Sequence, residues 1–86
     1  MEFKEVREEI SKLDSEIVRL LEKRFNLVIE VGKYKKENNL PIFDASREKI
    51  VIENCKNHLN NKDYSNNLEN IYVQIMNSCK DIQKNI

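Results

Sequence analysis

The feature that most constrains the fold is a regular spacing of apolar residues through the first 34 positions of the chain. These side chains recur in steps of mostly three and four, the spacing of a coiled-coil seam, which predicts one long α-helix over about residues 3 to 38. At ~1.5 Å per residue this helix exceeds ~50 Å, more than two shorter helices of the same small chain can cover. The stripe is therefore predicted to pack against a second copy of itself. Its members, here called the N-terminal seam, are Phe3, Val6, Ile10, Leu13, Ile17, Leu20, Leu27, Val31 and Tyr34.

Two further helices are predicted downstream. Pro41 disfavours helical geometry at the residue before it and should end the first helix. Asp44 is the expected N-cap of a second helix over residues 45–59, and a third should start near Ser65 and reach almost to the end. With one glycine, one proline and 35% charged residues, the composition also favours helices over sheets. We predict one all-α domain, residues 1–86, with three helices per protomer.

Charge and cysteine usage exclude several functional classes. The 15 basic and 15 acidic residues balance to zero, which argues against binding nucleic acid or an acidic membrane surface. Cys55 and Cys79 lack zinc-site spacing and are expected to be reduced and buried. Neither a metal cluster nor a glycine-rich phosphate loop is visible, so no metal or cofactor is predicted. A charged N-terminus and the lack of a long apolar segment predict a cytoplasmic protein.

Arg24 interrupts the apolar stripe of the long helix. A buried guanidinium needs a carboxylate of the protein, access to solvent, or a bound anion. Lys35 follows eleven residues later, which at 100° per residue puts it on the same side of the helix about 16 Å away. The two cations could therefore hold opposite sides of a small polyanion. The alternatives are a register-setting arginine in a coiled coil and a solvated lysine at the helix end.

Three further parts of the chain contain residues that do not fit a simple structural pattern. Arg47 and Glu48 follow Asp44 in the first turn of the second helix, where a carboxylate is favourable and a cation is not expected. Capping by Asp44, with Arg47 paired to it or to Glu48, is the alternative. Gln83 falls on the apolar face of the third helix, where it must be hydrogen-bonded or lie exposed near the helix end. Gly32 costs about 1 kcal/mol relative to alanine in a helix and indicates close approach by another helix or a ligand.

Four segments in this order resemble the all-helical chorismate mutase family. They are V-R-E-E-I-S-K-L-D with Arg7, L-E-K-R-F-N-L with Arg24, E-V-G-K-Y-K ending in Lys35, and P-I-F-D-A-S-R-E beginning at Pro41. The resemblance implies an intertwined homodimer of three-helix protomers whose long first helices pair. It also implies an isomerase that rearranges chorismate to prephenate without a cofactor, in phenylalanine and tyrosine biosynthesis.

The resemblance assigns the cationic residues to the carboxylates of chorismate. Arg7 and Arg24 would bind the two carboxylates, and Lys35 would contact the carboxylate and ether oxygen of the enolpyruvyl group. Arg47 would lie beside the site as a further cation. Arg7 precedes Arg24 by seventeen residues, about 25 Å along a straight helix, so it cannot reach the same site from the same chain. It is therefore expected to be supplied by the partner subunit.

The remaining roles concern the ring hydroxyl and the ether oxygen. By resemblance, Glu48 and Asp44 would take the hydroxyl, and Gln83 would be the second donor to the ether oxygen. Many family members have serine where this chain has Cys79, and a thiol is the weaker hydrogen-bond donor. A contact of Cys79 with a substrate carboxylate is therefore left open.

Two other functions compete with the mutase. An isochorismate pyruvate lyase on the same scaffold would reuse the cations, but Glu48 at the hydroxyl position resembles the mutases more closely. A helical dimerisation module without chemistry would gain stability from leucine at Arg24, whereas an enzyme would lose activity. Some family members dock onto another shikimate-pathway enzyme, and such an enzyme is a further possible partner of this chain.

Overall fold

The computed structural model describes all of residues 1–86 and contains three α-helices and no strand. Helix α1 spans Phe3–Glu37, α2 spans Ala45–Asn57 and α3 spans Ser65–Lys84, with a 3₁₀ turn at Lys62–Tyr64 immediately before α3. The predicted all-α class and the predicted number of helices are confirmed. None of the helices has the length and apolarity needed to cross a membrane.

Helix α1 ends one residue before the predicted boundary, in a turn built by asparagines. The backbone N–H and the side-chain amide of Asn38 both donate to the carbonyl oxygen of Tyr34. Asn39 has a φ of 54°, in the left-handed region that asparagine tolerates better than most residues. The Leu40 N–H then donates to the carbonyl oxygen of Lys35 at 2.8 Å. The last carbonyl groups of α1 are thereby satisfied before the chain reaches the proline.

Helix α2 begins as predicted and ends two residues early. The Asp44 carboxylate accepts a hydrogen bond from the Arg47 N–H at 3.0 Å, which confirms it as the N-cap. At the other end, Lys62 Nζ donates to the carbonyl oxygens of Lys56 at 2.9 Å and Asn57 at 3.3 Å. Because this lysine caps the free carbonyl groups, the helix need not continue to the predicted end.

Helix α3 packs along the C-terminal half of α1. The two helices run parallel, since contacts further along α1 are made by residues further along α3. Gly32 of α1 is one of only three buried residues, with Met76 and Cys79 of α3. A Cβ atom placed on Gly32 would lie 2.5 Å from Ile86 Cδ1 and 2.9 Å from Gln83 Cγ. The prediction that another helix approaches this glycine is confirmed.

The contact face of α1 was not predicted as a separate stripe. Leu21, Phe25, Val28 and Ile29 are half-buried beside α3, whereas every member of the N-terminal seam is between 39% and 70% exposed. In sequence this shorter apolar stripe overlaps the N-terminal seam, so it was not recognised as a separate contact face. Within one chain, α3 covers the shorter stripe and the N-terminal seam stays exposed.

The shape of the chain reflects this uncovered helix. Its extents are 54 × 24 × 15 Å and its radius of gyration is 15.8 Å, against about 12 Å for a compact chain of this length. Its accessible surface is 7093 Å², whereas a globular monomer of this mass exposes about 5,400 Å². Residues 1–20 are all exposed. The first half of α1 thus extends beyond the part of the chain that packs.

The two cysteines differ in burial. Both are free; Cys79 is buried, as predicted, but Cys55 is only half-buried, so that part of the prediction is wrong. Cys55 lies on α2, close to the Tyr72 side chain of α3. Helix α2 packs mainly against α3, and this one-sided cover leaves the Cys55 side chain partly open to solvent.

The close packing at Gly32 predicts the effect of adding one methyl group. Gly32→Ala should lower the free energy of unfolding by about 1 kcal/mol, because overpacking against Gln83 outweighs the gain in helix propensity. Urea denaturation followed by circular dichroism measures it, with Lys33→Ala as the exposed control on the next residue. A Gly32→Ala protein more stable than the wild type would show that α3 is not held tightly against α1.

Candidate active site

A cavity of about 300 Å³ lies between the C-terminal half of α1, the start of α2 and the last turns of α3. Eight site residues were predicted from the sequence, and the structure brings all but one of them to this cavity. The seven that line it are Arg24, Lys35, Asp44, Arg47, Glu48, Cys79 and Gln83. Three helices distant in sequence therefore converge on one polar space whose remaining walls are mainly apolar.

Arg24 is half-buried and faces α3 rather than the exposed seam. Its Nη1 donates to Cys79 Sγ at 3.0 Å, and its guanidinium carbon lies 6.0 Å from the centre of the Tyr72 ring. No carboxylate of the chain forms an ion pair with it, since the salt bridges involve other cations. The sequence allowed a protein carboxylate, solvent or a bound anion as the partner of Arg24, and a carboxylate of the same chain is now excluded. A thiol and an aromatic face hold the guanidinium while leaving its charge unneutralised.

Lys35 lies at the other end of the cavity and also lacks an acidic partner. Its Nζ donates to the carbonyl oxygen of Ile42 at 2.8 Å, in the connection between α1 and α2. This hydrogen bond holds the ammonium at the cavity rather than in solvent, and its other N–H groups remain free to donate to a ligand. The alternative of a freely solvated lysine at the helix end is not what the structure shows.

At the start of α2, Arg47 and Glu48 do not pair with each other. Only the backbone N–H of Arg47 binds Asp44, and its guanidinium forms no ion pair, so the predicted alternative of a paired Arg47 side chain is wrong. Glu48 Oε2 instead lies 3.0 Å from Nζ of Lys80, whose ammonium is 4.7 Å from the centre of the Phe43 ring. Sequence reasoning missed Lys80.

A signal for Lys80 was present in the sequence. It lies four residues after Met76 and three before Gln83, so a helical projection puts all three on one face of α3. A lysine on that apolar face needs a partner, by the same reasoning that singled out Arg24. Helical spacing could not supply the identity of the partner, because Glu48 belongs to another helix.

Gln83 is half-buried and hydrogen-bonded, as one of its two predicted alternatives required. Its Nε2 donates to the Val28 carbonyl oxygen at 3.1 Å, which fixes the side chain against α1 beside Gly32. The amide retains a second N–H group that can serve a ligand. The preceding turn presents Cys79 to the cavity, while Ser78 lines a separate groove on the other side of α3.

Arg7 is the one predicted residue that the chain does not bring to the cavity. It lies on the exposed first half of α1, with its guanidinium carbon 4.5 Å from the centre of the Phe3 ring. This position agrees with the estimate of about 25 Å from Arg24 along the helix.

The charges of the cavity favour a small dianion. Four cationic side chains and two carboxylates line it, a formal surplus of two positive charges. The cations are Arg24, Lys35, Arg47 and Lys80, and the carboxylates are Asp44 and Glu48. Preorganised cations around a partly apolar space can bind and orient an anion and stabilise negative charge that develops on it.

Tyr72 lies below Arg24 and is kept neutral. Burial raises the pKa of its phenol above the usual 10.0, and interaction with the nearby Cys55 thiol raises it further, while the Arg24 charge opposes the shift. Tyr72 therefore offers Arg24 an uncharged aromatic face over the physiological range. A negative partner at this position would have neutralised one of the cations of the cavity.

The fold and the cavity define a class of small all-helical proteins with a polycationic cavity between the helices. Comparison with known families makes the class specific, because the family model described as chorismate mutase type II matches residues 6–84. The chain belongs to the chorismate mutase type II family, which confirms the resemblance noted from the sequence.

Individual relatives agree with this assignment. The chain is 37% identical over 90 residues to a bifunctional chorismate mutase/prephenate dehydratase of Aquifex aeolicus, covering 99% of the chain and 25% of that protein. A protein of the same description from Buchnera aphidicola subsp. Schizaphis graminum is 43% identical over 67 residues, 78% of the chain and 16% of that protein. The chain thus spans a quarter or less of the length of these curated relatives.

A solved structure supports the fold over almost the whole chain. A conserved hypothetical protein from Pyrococcus furiosus superimposes with a TM-score of 0.77 at 36% identity, covering 93% of this chain and 92% of that one. Its length, unlike that of the bifunctional relatives, matches that of the present chain.

The environment of Tyr72 predicts a titration at high pH. A raised pKa in the folded state means that stability present below about pH 10 is lost as the pH rises through the folded-state pKa, because the unfolded chain ionises first. Ultraviolet titration of tyrosinate should show a component above pH 10 that disappears in Tyr72→Phe. In the control Tyr64→Phe this component should remain. Its persistence in Tyr72→Phe would contradict the burial of Tyr72.

Proposed function

We propose that this chain is a chorismate mutase that rearranges chorismate to prephenate without a cofactor, in the biosynthesis of phenylalanine and tyrosine. Residues 1–86 form one chorismate mutase domain in this proposal. The observation that carries it is the convergence of seven of the eight predicted site residues on one cavity with a surplus of two positive charges. Family membership supports the same reaction, and the names of the bifunctional relatives include it.

The proposed reaction needs shape and charge rather than a reactive side chain. A [3,3] rearrangement breaks one C–O bond and forms one C–C bond within a single molecule, so no group is transferred to the protein. Arg24 and Lys35, at opposite ends of the cavity, would hold the substrate in the chair-like conformer that reacts. Holding this conformer removes a large part of the orientational barrier.

Lys35 and Gln83 would act on the ether oxygen as its bond to the ring breaks. Both side chains have N–H groups beyond those bound to Ile42 and Val28, so they can donate to this oxygen without losing their anchors. Negative charge on the oxygen grows in the transition state. Only the part of the interaction that strengthens with this charge accelerates the reaction.

The start of α2 would recognise the ring hydroxyl. Glu48 lines the cavity and would accept the hydroxyl hydrogen bond together with Asp44, whose carboxylate also caps the helix. Arg47 would remain a nearby cation. Cys79 would act through Arg24, because its sulfur already accepts a hydrogen bond from that guanidinium. The serine-to-cysteine departure from the family is thus accommodated by a different use of the position.

The active form in this proposal is an intertwined homodimer. The surface of the chain exceeds that of a compact monomer by about 1,700 Å², twice the ~800 Å² per partner of an ordinary stable interface. The exposed N-terminal seam is the apolar surface available to a second copy. Pairing of the long helices would bring Arg7 of one subunit to the cavity of the other, where it would bind the second carboxylate of chorismate.

The direct test is an assay with purified protein. The wild type should consume chorismate and form prephenate, identified by acid conversion to phenylpyruvate. Lys35→Ala should lower kcat/KM at least about a hundredfold, because a donor to the developing charge is lost. Arg24→Leu should lose most activity while remaining helical, and Lys33→Ala, exposed on the same helix, is the matched control.

The other outcomes of this assay identify the competing functions. Pyruvate release from isochorismate alone would make the protein a lyase. Inactivity on both substrates in a helical dimer would leave a dimerisation module. Loss of helicity in Arg24→Leu or Lys35→Ala would assign that residue a structural role.

The shared site makes a separate prediction. Arg7→Ala and Lys35→Ala should each be nearly inactive, but a mixture at equal concentration should recover up to about a quarter of wild-type activity. Half of the dimers are then mixed, and one of the two sites in each mixed dimer has both residues intact. Mass spectrometry of the intact dimers verifies subunit exchange. Complete exchange with no recovered activity would exclude Arg7 from the partner's site.

A further inference from the structure

The ion pair between Lys80 and Glu48 is a charged contact of the cavity, and Lys80 has no role in the proposed reaction. The Nζ to Oε2 distance is 3.0 Å, and the two side chains are only 22% and 26% exposed. Such a pair is screened less than an ion pair on the open surface, and removal of one partner leaves the other charge partly desolvated. The contact joins the first turn of α2 to the last two turns of α3.

The position of Lys80 suits a residue that contacts Glu48 rather than one that contacts a ligand directly. Its side chain lines both the cavity and a neighbouring pocket that includes Phe43 and Lys84. The ammonium is held from two sides, by the carboxylate and by the Phe43 ring at 4.7 Å. It therefore stands in the wall of the cavity, and Glu48 occupies the adjoining part of the lining.

Electrostatics explain why the carboxylate needs a cation of its own. A dianionic ligand in the cavity repels Glu48, and this repulsion would favour rotamers that carry the carboxylate away to solvent. A lysine 3.0 Å away offsets the repulsion and restrains the carboxylate. The N-terminal turn of α2 contributes in the same direction, because its free N–H groups favour a negative charge.

We propose that Lys80 is a positioning residue that holds the Glu48 carboxylate in place to accept the ring hydroxyl of the substrate, with the Phe43 ring restraining the ammonium. The inference rests on the proposed function and adds to it a determinant of hydroxyl recognition. Lys80 acts through Glu48 and makes no contact with the substrate itself. An arginine can keep such a pair, and an apolar side chain of similar length cannot.

The test is a double-mutant cycle on kcat/KM for chorismate. Lys80→Met should lower kcat/KM about tenfold or more, and Lys80→Arg should remain within about threefold of the wild type. When Glu48 has been changed to Gln, the same Lys80→Met change should cost less than about twofold, because the residue that Lys80 positions is gone. Lys84→Met removes an exposed lysine one turn further along α3 and should leave activity unchanged.

The cycle separates positioning from a structural role. A lysine that only stabilises the fold would lower the melting temperature and reduce activity equally in both backgrounds, which would overturn the inference. If the wild type is an active mutase and Lys80→Met is equally active, the inference is overturned as well, while the proposed mutase function stands. A folded wild type without mutase activity would overturn the proposed function and this inference together.

Discussion

The structure depends on one helix that is too long for its own chain to cover. The C-terminal half of α1 packs on α3 and forms a wall of the cavity, whereas its first half has no neighbour in the chain. With three buried residues in all, a single chain has almost no core. Burial of the N-terminal seam is therefore the main source of stabilisation still available, at roughly 25 cal/mol for each Å² of apolar surface. Helix pairing and folding are expected to be one process.

The same long helix explains how the cavity keeps charges that are not neutralised. Arg24 and Lys35 project from a rigid element about 16 Å apart, so their spacing is fixed before any ligand arrives. Each is anchored by a neutral acceptor, a thiol or a carbonyl group. Gly32 lies between them and lets α3 approach closely enough for Gln83 to join the site. The fold thus holds these two cations in place before a ligand arrives, so that binding of an anion requires little reorganisation of the cavity.

Helical periodicity and end signals were sufficient to predict most of this structure. They gave the three helices, the Asp44 cap and the helix approach at Gly32, because each depends on residues close in sequence. Which side chains pair between the helices was the part that could not be predicted. The pairing of Lys80 with Glu48 depends on how α2 approaches α3, and neither helix carries that information alone. The partial exposure of Cys55 has the same origin, since it follows from how many layers cover α2.

The proposed dimer would connect the uncovered half of α1 to the chemistry of the cavity. Arg7 lies on the helix segment that lacks a neighbour, so the surface that needs a partner for stability also carries a charge for the partner's site. A third surplus cation would then face the substrate, and the incoming helix would exclude water from the open side of the cavity. Charges act more strongly where water is excluded, so association would strengthen the contacts that Arg24 and Lys35 make. Dimerisation would then be a catalytic requirement as well as a structural one.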